Sequence, residues 1–187
     1  MPFQPQVSFY SEEELSKLGL KSYGKNVLIS RYARFYSPQN IEIGDNVRID
    51  DFCILSGKIK LGSHIHISAY VALYGAMGIE LEDYTGISPR STIYSAMDDF
   101  SGDYLIGPIH PQGTTHVTGG KILIKKFSQI GTHSVVFPNL IIGEGVVVGA
   151  CSLVTKSLDD WGIYFGQPSV FYKKRTKGLL CFLTEGK

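Results

Sequence analysis

The sequence predicts an all-β fold: a left-handed parallel β-helix with a short N-terminal capping helix, one extruded loop and a short C-terminal helix. Three observations predict it. Every sixth residue from Ile124 to Val154 is a branched aliphatic (Ile124, Ile130, Val136, Ile142, Val148, Val154). The same beat runs earlier through Ile43, Ile49, Leu55, Leu61, Ile67 and Leu73, and again through Leu81, Ile87 and Ile93. Four places after most of the later aliphatics stands a small or aliphatic residue: Ser128, Ser134, Leu140, Val146, Ser152. A period of six is neither the 3.6 of a helix nor the 2 of a plain strand, and a fixed period marks stacked repeats. It fits a short strand followed by a corner, with the aliphatic residue in the bore and the small one at the turn. Three hexads make one coil, and coils stack ~4.8 Å apart by backbone pairing. Five coils fit between Ile43 and Val154, with a partial one before. The left hand comes with the hexad pattern, as an exception to the usual right-handed crossover.

The elements follow in chain order. Ser11-Glu12-Glu13-Glu14 reads as a capping box, with Ser11 as N-cap and Glu14 reaching back. Leu15 and Leu18 give that short helix an apolar edge, and Gly19 can end it. Such a helix covers the open end of a solenoid, where strand edges need protection. Coils begin near Ile29 and Phe35, and Ser37-Pro38-Gln39-Asn40 is a turn that shifts the phase by two. Gly75-Ala76-Met77-Gly78 carries a second two-residue insertion. The arithmetic then stacks Asp50, Ser68, Ser88 and Gly131 in one outward column, with Arg48, His66 and Gly86 beside it.

After Ile93 the beat stops, and it resumes only at Ile124. The extra residues include Asp98, Asp99, Asp103, His110 and His116. Long excursions from compact repeats tend to carry function. Beyond Val154, Phe171-Tyr172-Lys173-Lys174-Arg175 and Leu179-Leu180-Phe182 suggest a basic, amphipathic tail helix. The expected organisation is a single domain over 1–187: an N-terminal cap at 1–26, the β-helix at 27–156 with its extruded loop at 97–120, and a tail at 157–187.

Composition narrows the function. The net charge is +1 with 19% charged residues and no basic block, which argues against nucleic acid as a partner. Three widely spaced cysteines, Cys53, Cys151 and Cys181, fit neither a disulfide framework nor a zinc site. No run approaches the ~20 apolar residues of a membrane span, and the opening residues have no signal-peptide pattern. A soluble, cytoplasmic protein is expected.

The segment Ile130-Gly131-Thr132-His133-Ser134-Val135-Val136-Phe137-Pro138, the later Ile142-Gly143-Glu144-Gly145 and Val148-Gly149-Ala150-Cys151-Ser152-Leu153-Val154-Thr155-Lys156, and the closing Gly166-Gln167-Pro168 carry a resemblance. They resemble the galactoside and maltose acetyltransferase branch of the hexapeptide-repeat acyltransferases. Phe9 to Leu15 and Ile49 to Leu55 also resemble sugar acetyltransferases from polysaccharide gene clusters. The resemblance implies acetyl-CoA as co-substrate, a sugar or nucleotide-sugar hydroxyl or amine as acceptor, and no metal. It implies a homotrimer with each active site between two solenoids. The matching CoA-binding positions are Thr132, Ala150, Thr155, Lys156 and Lys173.

Direct acyl transfer needs a base for the acceptor's proton and donors for the oxyanion. Related enzymes place a histidine just after the coil equivalent to Ser91–Ile93, where this chain has Asp98. The candidates are therefore Asp98 or Asp99, alone or with His110 or His116. A histidine titrates near working pH, whereas an aspartate needs its pKa raised. The sequence leaves open which of the four is the base, the acceptor, and O- against N-transfer. Two other readings stand beside it: a β-helix scaffold that has lost transfer, and a γ-class carbonic anhydrase with three histidines on an intersubunit zinc.

Overall fold

The computed structural model describes residues 8–183. The bore is set by three inward columns, one per face of a parallel solenoid. On the first face Ile43, Leu61, Leu81, Ile124 and Ile142 lie in register. On the second, Ile29, Ile49, Ile67, Ile87, Ile130, Val148 and Tyr164 do so. On the third the column is Phe35, Leu55, Leu73, Ile93, Val136 and Val154. Apart from the half-buried Phe35 at the open end, all are buried. Each aliphatic residue touches its equivalents above and below, so removing its surface from water requires the next coil.

The breaks in the beat have local causes. The 3-10 turn Pro38–Asn40 follows Ser37, which has φ +58°. Across it the coil shortens: Arg34 pairs with Ile54, twenty residues on, but Ile41 with Ile59, eighteen on. In the strand Ala72–Leu81 the register slips by two between Gly57↔Gly75 and Ile59↔Ile79. Ile93 pairs with Val136, a separation of one coil plus 25 residues.

Those 25 residues leave the solenoid as an arm. Its base is an antiparallel ribbon in which Ala96, Met97 and Asp98 face Gly119, Thr118 and Val117. Gly119 sits here because a Cβ would lie 2.3 Å from the Ser95 carbonyl oxygen.

At the N-terminal end, helix Glu12–Ser16 has the expected capping box: Glu14 N donates to Ser11 Oγ, and Ser11 N to Glu14 Oε2. Leu15 is buried against the first coil, and Arg31 pairs with the Glu14 carboxylate, Nη2 to Oε2 at 2.7 Å. The Arg31 guanidinium and the Ser11 amide hold that carboxyl down at about 2.

The tail departs from expectation. Phe171 to Lys174 is strand, not helix: Ser169–Lys174 folds antiparallel onto Gly162–Gly166 and ends the second face. Helical structure is confined to a 3-10 segment, Gly178–Leu183. The alternating Phe171 and Lys173 contact the hairpin's other strand, and pairing with an open sheet edge overrides the short helical pattern.

Candidate active site

Strand alternation separates the two arm aspartates. Asp98 closes the ribbon strand Ala96–Asp98 and lines a cleft of about 670 Å³. The arm contributes Met97, Phe100 and Pro108 to that cleft, and the solenoid contributes Tyr74, Tyr94, Phe137 and Pro138. Tyr74 and Tyr94 stack at 5.2 Å, their rings 11° from parallel. The Asp98 carboxylate has no hydrogen-bond or ion-pair partner among the described residues.

Asp99 is fully engaged instead. Its Oδ2 lies 2.8 Å from His116 Nδ1, and its Oδ1 accepts from Ser101 N at 2.7 Å. Asp99 N also donates to the His116 carbonyl oxygen. The His116 hydrogen bond, with that of the Ser101 amide, holds the Asp99 carboxyl down at about 2. Tyr104 packs on His116 at 4.9 Å between ring centres. Asp99, His116 and Tyr104 thus form a clasp across the base of the arm, and neither Asp99 nor His116 lines the Asp98 cleft. His110 is half-buried further out in the arm and also lies off the cleft.

The other histidines serve the solenoid surface. His64 stacks on Tyr84, their rings 1° from parallel. His66 Nε2 pairs with Asp50 Oδ2 at 2.7 Å. His133 Nδ1 lies 3.2 Å from Thr132 Oγ1. Among the described residues no group of three or more His, Cys, Asp or Glu side chains is placed to hold a metal.

The positions expected to hold CoA fall on opposite edges of the third face. Thr132 and Ala150 are stacked at the corner that enters it, where Thr132 Oγ1 donates to the Pro89 carbonyl at 2.6 Å and Cys151 N to the Thr132 carbonyl at 2.8 Å. Thr155 and Lys156 lie exposed at the corner that leaves it, after strand Leu153–Val154. Lys173 is exposed on the terminal hairpin opposite Ile163. Gly131 at the entering corner is required by packing: a Cβ there would sit 2.6 Å from the Val148 carbonyl oxygen.

A trigonal parallel solenoid with an extruded arm, a carboxylate in an apolar cleft and small residues at the flanking corner is the architecture of a hexapeptide-repeat transferase. No protein-family model matches the chain. It is 38% identical over 177 residues to the dTDP-4-amino-4,6-dideoxy-D-glucose acyltransferase of Escherichia coli, covering 93% of this chain and 92% of that one. It is 27% identical to the putative colanic acid biosynthesis acetyltransferase WcaF of Escherichia coli K12, over 94% of this chain and 81% of WcaF. Among solved structures it is 54% identical to AntD, an N-acyltransferase from Bacillus cereus in complex with dTDP and 3-hydroxybutyryl-CoA, with a TM-score of 0.93 over 96% of each chain. The acetyltransferase VCA0836 of Vibrio cholerae shares the fold, at 20% identity and a TM-score of 0.60 over 92% of this chain and 84% of that one. The chain belongs to the hexapeptide-repeat sugar acyltransferases.

Proposed function

We propose that this protein transfers an acyl group from acyl-CoA to the amine of a dTDP-linked amino-deoxy sugar, within surface-polysaccharide synthesis, and that Asp98 is the base. The neutral amine nitrogen attacks the thioester carbonyl carbon, forming the C–N bond. Asp98 takes one amine proton. The tetrahedral oxyanion then collapses, the C–S bond breaks, and the departing thiolate receives the proton as CoA thiol. The observation that carries this reading is the Asp98 carboxylate in an apolar cleft, without a partner among the described residues, in contrast to Asp99, whose oxygens are both occupied. AntD supports it further: its structures include variants at one serine and one aspartate ten positions apart, some holding dTDP-4-amino-4,6-dideoxyglucose and CoA. Ser88 and Asp98 have that spacing in this chain.

We extend the reading to a homotrimer, which the same geometry supports. Ser88, Thr132 and Ala150 stand at the corner entering the third face; Asp98, Thr155 and Lys156 lie beyond its far edge. A face of about five strand residues is ~16 Å wide, too far for both groups to reach one thioester. Two copies set corner to edge would bring them together, and a closed ring of three such copies would complete every site. Phe100, Ile106 and Ile109 on the arm are solvent-exposed in the single chain, Ile109 to 88%, and would be covered by the neighbour. On this reading Thr132, Ala150, Thr155 and Lys156 line the CoA groove and Lys173 meets a CoA phosphate.

The test is thiol release with acetyl-CoA and 3-hydroxybutyryl-CoA as donors and dTDP-4-amino-4,6-dideoxyglucose as acceptor. Acceptor-dependent release is expected, with the acylated product carrying the acyl group on nitrogen. Thiol release that no amino sugar nucleotide stimulates, with either donor, would overturn the reading. Among the described residues no helix is long and apolar enough to cross a membrane. We propose the cytoplasm as the place of the reaction because acyl-CoA is made there.

A further inference from the structure

Ser88 follows the bore residue Ile87, so its side chain stands outside the solenoid at the corner before Pro89. One coil above, Gln129 precedes the bore residue Ile130 and is paired with Gly86. The Gln129 side chain does not extend into solvent. It folds down across Gly86, and Nε2 donates to Ser88 Oγ at 2.9 Å and to the Ile130 carbonyl oxygen at 3.3 Å. The space comes from the glycine: a Cβ on Gly86 would lie 2.3 Å from Gln129 Oε1.

This contact sets the direction of a proton. The Ile130 carbonyl only accepts, so the amide nitrogen, not the oxygen, faces this side. Ser88 Oγ then accepts from Nε2, and the hydroxyl's own hydrogen is turned outward as a donor. A donor aimed in advance at a developing oxyanion is what acyl transfer needs, because no reorganisation is then required during the reaction.

We infer that Gln129 is a positioning residue that fixes the Ser88 hydroxyl as a donor to the acyl carbonyl oxygen, in a seat that Gly86 keeps open. The inference rests on the N-acyl transfer proposed above and extends it to residues one strand away from the reacting atoms.

A double-mutant cycle tests it on the full-length protein, with acyl-CoA and dTDP-4-amino-4,6-dideoxyglucose. Gln129→Met keeps the length of the side chain and removes the donor. It should lower kcat about tenfold with both KM values unchanged, while Ser88→Ala lowers kcat about a hundredfold. In the Ser88→Ala background, Gln129→Met should change the rate less than twofold, since there is no hydroxyl left to orient. Gln129→Glu reverses the bond, because a carboxylate accepts from the hydroxyl, and should lose at least as much activity as Gln129→Met. Thermal midpoints equal to wild type exclude a folding effect for both variants.

Wild-type kcat in Gln129→Met, a loss carried by KM alone, or the same tenfold loss on top of Ser88→Ala would each overturn the inference while leaving the transferase standing. Absence of transfer by the wild type would overturn the proposed function and this inference with it.

Discussion

At the scale of single residues, Asp98 ends the ribbon strand and Asp99 follows it, and the two side chains meet different partners. Asp98→Asn removes the proposed proton acceptor and should lower kcat by about 10²–10⁴-fold, with an unchanged thermal midpoint, in the thiol-release assay. Asp99→Asn should act on the arm instead. The Asp99 carboxyl is held at about 2, below its ordinary 3.8, by the His116 hydrogen bond. A depressed carboxyl stabilises the fold above its unfolded pKa and loses that contribution as pH falls through the folded one. The clasp is therefore fully present above about pH 4 and lost on approach to pH 2. The protection of arm amides such as Leu105, which donates to Thr114, relative to their intrinsic exchange rate, should fall over that window in the wild type. In Asp99→Asn the same amides should be less protected than in the wild type above about pH 4, with the difference vanishing on approach to pH 2. Buried Cys53, with its thiol pushed up to about 11 by burial, is a filler of the corner and takes no part in this chemistry.

Within the elements, the corners carry much of the constraint. Several non-glycine residues sit there in the left-handed region, among them His64, Tyr84, Phe127, Phe52, Tyr70 and Arg90. Each such residue costs roughly 1 kcal/mol. Stacking between coils offsets that cost: Tyr84 packs on Phe127 at 5.4 Å, Phe52 on Tyr70 at 4.9 Å, and Arg90 over Tyr70 at 4.8 Å. Buried serines close the same corners, Ser91 Oγ donating to the Gly131 carbonyl and Ser134 Oγ to that of Gly149. Gly131 lies among backbone atoms of the next coil, with the Ala150 nitrogen 2.7 Å from where a Cβ would be. Gly131→Ala should therefore destabilise the protein by about 1–3 kcal/mol, measured by denaturant unfolding, because backbone and not a side-chain tip must move. On the terminal hairpin, Lys173→Ala should raise KM for acyl-CoA about tenfold and weaken the salt dependence of that KM, leaving kcat unchanged.

For the whole molecule, the proposed ring makes each site belong to two chains. Light scattering should give a mass near three times 20.6 kDa. Chains carrying Ser88→Ala and chains carrying Asp98→Asn, co-expressed, should recover activity that neither has alone, because some interfaces then hold both wild-type groups. Failure to recover any activity in verified mixed assemblies would place both groups in one chain's site.

The bore was legible in the sequence because it is one-dimensional. Ile43, Leu61 and Leu81 meet their neighbours at separations set by the repeat, and even the slips at Pro38 and Gly78 could be counted from the spacing of aliphatic residues. The capping box was legible for the same reason, since all its contacts lie within four residues. The candidate site was legible only as a group. Asp98, Asp99, His110 and His116 were marked by the break in the beat, but their roles depend on how the arm pairs with itself. That register, Asp98 opposite Val117, is a long-range choice with no period to announce it. It turns Asp98 into the cleft and gives Asp99 to His116. The tail was misread because a free sheet edge at Gly162–Gly166 recruited Phe171 and Lys173 into a strand, a partner that local pattern cannot reveal. The fold of the coils was thus determined by the sequence itself, where contacts repeat at constant separation. The placement of particular side chains, Gln129 over Ser88 included, was decided by tertiary structure, where a single close approach selects which polar groups remain free, and the proposed chemistry rests on that placement.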